Sequence, residues 1–413
     1  MTRFRRWNLL LGLLLYAMAP AAELPSDAPD RHLGVATCRS ALCHNAVAPW
    51  RQSGARLDEY RVWRRDDAHA RAYDALQSEA GRRIAQRAGV EVPEHAAACL
   101  DCHADRAAVR GPRFAVRDGV TCEACHGGAE RWLDSHARGA SHQENLARGM
   151  YPTDDPVRRA ELCVSCHVGS GRQQVTHRLI AAGHPRLDFE LDTFTAREPP
   201  HAVLDDDYRA RKAVPSSAEL WATGQGIVAR ARLALIASPS TWPGGSWPEL
   251  SAFDCGTCHR AAVNNGGARP RPRPGLPRLA TGLEPWLAVL ARRDPSTAQG
   301  LRRALVGLDG AGASDRAQQA GALAAQVAVT TTRWLPLHLD ASDIDALLSR
   351  VADCDRVRAP SSYYEATQWT MAAQALLARN TAALTPLFDR TQRFWEFDAV
   401  GFDQALRALC PAR

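Results

Sequence analysis

Ten of the twelve cysteines fall into five pairs, and a histidine follows the second cysteine of every pair. Four of the pairs are C-x-x-C-H: Cys99/Cys102/His103, Cys122/Cys125/His126, Cys163/Cys166/His167 and Cys255/Cys258/His259. The remaining pair, first along the chain, places four residues between its cysteines, Cys38 and Cys43, and continues with His44. This is the attachment signature of haem c. Two thiols reach the two vinyl groups on one porphyrin edge, and the adjacent imidazole turns under the ring to bind iron. The longer spacing has slack to make the same two thioethers. Random placement of these cysteines and histidines yields about 0.01 C-x-x-C-H motifs in such a chain, so spacing of this kind is not accidental. Structural zinc also uses C-x-x-C pairs, but it brings two pairs together and has no need for a histidine after each. The expectation is five covalently attached haems c, with His44, His103, His126, His167 and His259 as proximal iron ligands.

Fourteen histidines are present, and the motifs use five of them. Closing every iron with a second imidazole needs five more. His177 and His184 are two helical turns apart, so on one helix their rings would share a face about 10 Å apart, although Gly183 and Pro185 are helix-ending residues. His69 follows Asp66 and Asp67, which read as a helix start. His136 and His142 lie between the third and fourth motifs along the chain. These five are the candidate distal ligands. His32, His95, His201 and His338 read as ordinary histidines, His95 being too close to Cys99 to turn over its own haem.

The elements around these residues indicate an exported chain. Arg3, Arg5 and Arg6 precede an apolar run from Trp7 to Met18, and Ala19-Pro20-Ala21 offers a cleavage site, so residues 1–22 read as a signal peptide. An uncleaved anchor is the alternative. The run is shorter than the roughly 20 apolar residues of a membrane span, and no later segment approaches that length. The mature chain is expected to be periplasmic or otherwise exported, with no transmembrane segment. Cys354 and Cys410 are left over from the motifs; in an oxidising compartment they read as a disulfide, the alternative being two buried free thiols. The formal charge of +6 includes three signal arginines, and two propionates on each haem would turn the holoprotein acidic. That argues against nucleic acid as a partner.

Residues 30–262 hold every motif, in helical or irregular segments with little period-2 alternation. Sparse aliphatic patterning is expected where porphyrins supply much of the apolar core. Ser216 and Glu219 form a capping box for a helix running to about Ala237, with Leu220, Ile227 and Leu235 among its apolar positions. Residues 263–280 alternate Arg and Pro and read as a stiff linker. Residues 281–413 show only helical signals, including Ser362 with Glu365 before Trp369 and an amphipathic segment from Asp398 to Leu409. The fold expected is mainly α: a multihaem domain with little β structure, then a haem-free helical C-terminal domain.

Several words outside the motifs carry a family resemblance. Gly34-Val-Ala-Thr-Cys, Asp118-Gly-Val-Thr-Cys-Glu-Ala-Cys-His-Gly, Tyr151-Pro-Thr-Asp-Asp-Pro, Ala182-Gly-His-Pro-Arg-Leu-Asp-Phe-Glu-Leu and Phe253-Asp-Cys-Gly-Thr-Cys-His resemble the cytochrome c-554-like multihaem cytochromes over most of residues 33–260. The resemblance implies a mostly helical fold, closely packed haem pairs and electron transfer. It also implies His69, His177 and His184 as distal ligands. The type member of that family has four haems, and relatives often carry His-His after the last cysteine, where Arg260 stands here. The C-terminal part lies outside the resemblance.

The function expected is electron transfer between redox partner proteins through bis-histidine haems. The alternative is an oxidoreductase in which one haem keeps an open position for nitrite, hydroxylamine or nitric oxide. A third reading is a subunit that docks a partner through its C-terminal helices. No C-x-x-C-K motif is present, and Lys212 is the sole lysine.

Overall fold

The computed structural model describes residues 23–50, 55–171, 173–212, 214–238, 249–259, 277–334, 339–351, 362–377 and 381–410. The segment read as a signal peptide, most of the Arg/Pro segment read as a linker, His338 and Cys354 lie outside these residues. Cys410 is disulfide-bonded.

Polar caps decide where the helices begin. The first half contains α1 (Glu59–Asp66), α2 (Ala72–Gln77), α3 (Glu79–Ala88), α4 (Ala97–His103), α5 (Cys122–His126), α6 (Leu133–Ala137), α7 (His142–Ala147), α8 (Pro156–His167), α9 (His177–Ala182), α10 (Leu191–Arg197) and α11 (Asp206–Arg211). Ser78, Ser141, Asp155, Thr176, Glu190 and Asp205 each accept a backbone N–H of the first turn that follows, satisfying donors the helix cannot. Gly183 ends α9 at φ 112°, a left-handed conformation that glycine adopts without strain. His184 therefore stands beyond the helix that begins at His177, rather than on its next turns.

The second half contains α12 (Ser217–Ala237), α13 (Leu283–Arg293), α14 (Pro295–Gly310), α15 (Ala313–Trp334), α16 (Ala341–Val351), α17 (Tyr363–Leu376), α18 (Thr381–Arg390) and α19 (Ala399–Arg407). The capping box of Ser216 and Glu219 is present at α12, Ser362 accepts from Glu365 N at α17, and Asp398 caps α19. Among the described residues there is no strand; two isolated bridges, His32 with Arg110 and Phe253 with Leu279, are the β pairing. The fold is mainly helical, as expected. No described helix is long and apolar enough to cross a membrane.

α12 is buried on every side from Leu220 to Ala229, as a central helix must be, and carries Arg230 and Arg232 beyond that stretch. Leu220, Ile227 and Val228 pack with Val164, Phe189 and Leu191 on the motif side. Ala229, Leu233 and Ile236 pack with Trp286, Leu287, Leu323 and Val327 on the other. Two glycines allow these approaches: a Cβ on Gly224 would stand 2.5 Å from Leu191 Cβ, and one on Gly226 would stand 2.6 Å from Thr331 Oγ1. Among the described residues, Val35, Trp63 and Ala70 form a small apolar cluster within the motif-bearing half.

Candidate functional site

Three motifs end short helices. α4 closes on Cys99, Cys102 and His103, α5 is Cys122 to His126, and α8 closes on Cys163, Cys166 and His167. Cysteines three apart share one helix face, and the histidine after them sits at the next step of the turn. The fifth motif starts in a 3₁₀ turn, Cys255–Thr257, whose cap Asp254 accepts from Gly256 N. Cys38, Cys43 and His44 lie in a looser turn closed by Cys43 N to Ser40 O at 2.9 Å and His44 N to Cys38 O at 3.3 Å. Four of the motifs adjoin in two pairs, Cys38 lying beside Cys122 and Cys102 beside Cys166.

A buried carboxylate ties the first motif to the third. Glu123, 1% exposed, accepts from Leu33 N at 2.7 Å, Gly34 N at 2.7 Å and Ala129 N at 2.8 Å. Gly34 sits at φ 95°, and a Cβ there would meet Arg113 O at 2.3 Å. Gly119, at φ 77°, would meet His69 O at 2.7 Å. The words around Gly34 and Gly119 thus describe a tight backbone junction.

Four motif histidines face a histidine from outside the motifs. The ring centres are 6.0 Å apart for His44 and His136, 6.1 Å for His167 and His69, 6.3 Å for His103 and His184, and 6.2 Å for His259 and His177. An iron bound by two imidazoles, each through a nitrogen about 2 Å away that lies about 1.1 Å from its ring centre, puts the two centres about 6.2 Å apart. The donor set and its spacing therefore fit a six-coordinate haem iron at each pair. The ring planes divide the pairs in two: 11° and 21° for His44/His136 and His259/His177, against 85° and 87° for His167/His69 and His103/His184. Rear contacts orient several rings. His103 Nδ1 is 2.8 Å from Ala72 O, His184 Nδ1 is 2.8 Å from Pro185 O, and Trp132 stands edge-on to His136.

Two candidates fall outside this pattern. His142 Nε2 lies 3.0 and 3.1 Å from the two oxygens of Asp154, so that ring engages a carboxylate rather than a motif histidine. Among the described residues, His126 has no imidazole opposite it at the spacing of the other four. Its ring is accessible, yet the protein around it disfavours the charged form and pushes it down to about 4, with the charges of His201, His44, Lys212 and His136 adding to the effect. His201, read from the sequence as ordinary, is the first of these neighbours; its Nε2 lies 3.9 Å from Asp67 Oδ2. No motif marks it, because it reaches the region through the fold. His32 is fully buried between Asp105, at 3.0 Å, and Pro25 O, at 3.2 Å. His95 is exposed.

A neutral ring is what a metal takes up. Burial, with the charge of His69, pushes His167 down to about 4. Burial and the charge of His44 lower His136, and burial lowers His103. His44 and His69 move the other way: a bond to Glu59 raises the first and a bond to Asp67 raises the second, each outweighing burial.

Beside the fifth motif, Arg186 Nη1 is 2.9 Å from Cys255 Sγ, and the guanidiniums of Arg186 and Arg232 stand 4.7 and 4.4 Å from the centre of the Tyr364 ring. Both arginines line a small cleft with Val175, Ile180, Leu235 and Ile236.

Residues 37–127, which hold the first three motifs, match the family described as cytochrome c554 and c-prime. No curated protein and no solved structure matches the chain. Over that segment the resemblance seen in the sequence is met, and it supports a c-type cytochrome with covalently bound haem and a role in electron transfer.

Proposed function

We propose that this chain is an exported pentahaem c-type cytochrome that passes electrons between a donor and an acceptor protein. The observation that carries the reading is the set of four facing histidine pairs, each joining one motif histidine to one from elsewhere in the chain at 6.0–6.3 Å. Bound haem supplies reversible one-electron chemistry at iron. At the four paired sites the chain's part would be to hold two imidazoles toward the iron, so that neither oxidation state would need a change of ligand, and to place neighbouring sites side by side, Cys38 with Cys122 and Cys102 with Cys166. Cys38, Cys43, Cys99, Cys102, Cys122, Cys125, Cys163, Cys166, Cys255 and Cys258 are the ten attachment thiols of this reading.

His126 favours a second reading. Among the described residues no imidazole faces it at the spacing of the other four pairs, which leaves one site at which nitrite, hydroxylamine or nitric oxide would bind, with His201 and Lys212 nearby. The two readings part on the spin state of iron after expression with a haem-attachment system. A pure carrier has five haems by mass and entirely low-spin iron. A high-spin signal from one fifth of the iron that shifts with nitrite, hydroxylamine or nitric oxide replaces the carrier by the oxidoreductase. A count of four haems identifies Cys38/Cys43/His44 as the site that fails to load.

A further inference from the structure

Two of the four facing pairs have a carboxylate behind one imidazole. Glu59 Oε2 lies 2.9 Å from His44 Nδ1, and Asp67 Oδ1 lies 2.9 Å from His69 Nδ1. Both carboxylates are held for this contact. The other oxygen of Glu59 accepts from Arg56 N at 2.9 Å and Leu57 N at 3.0 Å, which aims Oε2 at the ring. Asp67 caps the turn that carries its target, accepting from His69 N at 2.8 Å, and its side chain is only 5% exposed. Glu198 adds a second carboxylate oxygen 3.9 Å from His69 Nδ1. The His103/His184 pair offers a direct contrast, because both rings there are backed by neutral backbone carbonyls at 2.8 Å.

We propose that Glu59 and Asp67 are tuning residues that hold the haems of Cys38/Cys43 and Cys163/Cys166 at lower reduction potential than the haem of Cys99/Cys102. A haem iron held through Nε2 would leave the proton on Nδ1, which would donate it to the rear partner. A carboxylate draws that proton further than a carbonyl does, gives the imidazole anionic character, and so favours ferric over ferrous iron. The carboxylate's own charge acts in the same sense. In a reductive titration each iron takes one electron from dithionite, ferric becoming ferrous, and these two irons accept theirs after the Cys99/Cys102 site. The inference rests on the pentahaem reading and adds an internal ordering to it.

The test is an EPR-monitored redox titration of the five-haem protein. Near-parallel and near-perpendicular imidazole planes split the ferric d orbitals differently and give separable low-spin signals. His167/His69 and His103/His184 form the near-perpendicular class, at 85° and 87°. In the unmodified protein that class is expected to disappear in two steps, with ferric-to-ferrous ratios differing about tenfold at a given potential, or about 59 mV for one electron. Asp67→Asn, which keeps an acceptor oxygen and removes the charge, is expected to bring the later step onto the earlier. Glu59→Gln is expected to move one near-parallel signal upward by a similar factor while the iron stays low-spin. A single step in the unmodified protein overturns the ordering without recourse to any variant. Unchanged midpoints in both variants show that the carboxylates only position the rings, and overturn it too. Fewer than five haems overturns the pentahaem reading and this inference with it, whereas five haems with no ordering overturns this inference alone.

Discussion

Glu123→Ala tests whether the first and third motifs are held together by one side chain. The carboxylate is buried and accepts three backbone N–H bonds, from Leu33, Gly34 and Ala129. Bonds to a charged acceptor contribute about 1.5–3 kcal/mol each, so three amount to about 5–9 kcal/mol before any return. Relief of the carboxylate's own desolvation recovers several kcal/mol, leaving a net loss of about 3–5 kcal/mol. That is a large part of a typical domain's 5–15 kcal/mol. The loss is local, because Leu33 and Gly34 lead directly into Cys38. Glu123→Gln keeps acceptor oxygen but turns an NH₂ group toward backbone donors, and is expected to cost about 1–3 kcal/mol. Urea denaturation followed by far-UV circular dichroism gives the stability change, and intact mass gives the number of haems. The alanine variant is expected to lose the Cys38/Cys43 haem first. A shift below about 1 kcal/mol with all five haems retained would refute the reasoning.

Other expectations follow from single contacts. His136→Ala removes the ring 6.0 Å from His44 and is expected to convert one low-spin iron to high-spin, whereas His142→Ala, whose ring is on Asp154, leaves the spin populations unchanged; EPR quantitation of the pair separates them. Burial pushes the Glu190 carboxyl up from 4.5 to about 7 against the bonds it accepts from Thr193 and Asp192. The folded chain then keeps a proton that the unfolded chain releases, so this group's contribution to stability falls as pH rises from about 4.5 through about 7, by up to about 3 kcal/mol. Denaturation midpoints across that range should fall less steeply in Glu190→Gln than in the unmodified protein. Arg186→Gln removes one of the two cations over Tyr364 and is expected to destabilise the chain by about 1–2 kcal/mol, read as a change in urea midpoint.

What could be read from the residues alone follows from how local each constraint is. Haem attachment is chemistry between neighbours in sequence, so the five motifs were legible from spacing. Helix starts are equally local: Ser216 with Glu219 and the Asp398 cap stand where their side chains indicate. Axial ligands are a tertiary matter. His136 and His142 are six residues apart with nothing in their neighbours to separate them, yet one meets His44 and the other Asp154. The helical spacing of His177 and His184 was also an incomplete guide, because Gly183 turns the chain between them and sends the two rings to different partners, His259 and His103.

The same division explains α12. Its capping box was visible, and its apolar positions were too, but a stretch buried on every side does not say which neighbours it meets. The structure gives it two at once, Leu191 against Gly224 and Thr331 against Gly226. Gln225, between those glycines, is buried and donates to Gln368 of α17 at 3.0 Å. A helix that shares one side with Phe189 and Leu191, beside His167, and the other with the C-terminal helices has to be ordered for either side to pack. The C-terminal helices therefore bear on the histidine sites through α12: they supply the second wall of the helix against which the His167 region is built.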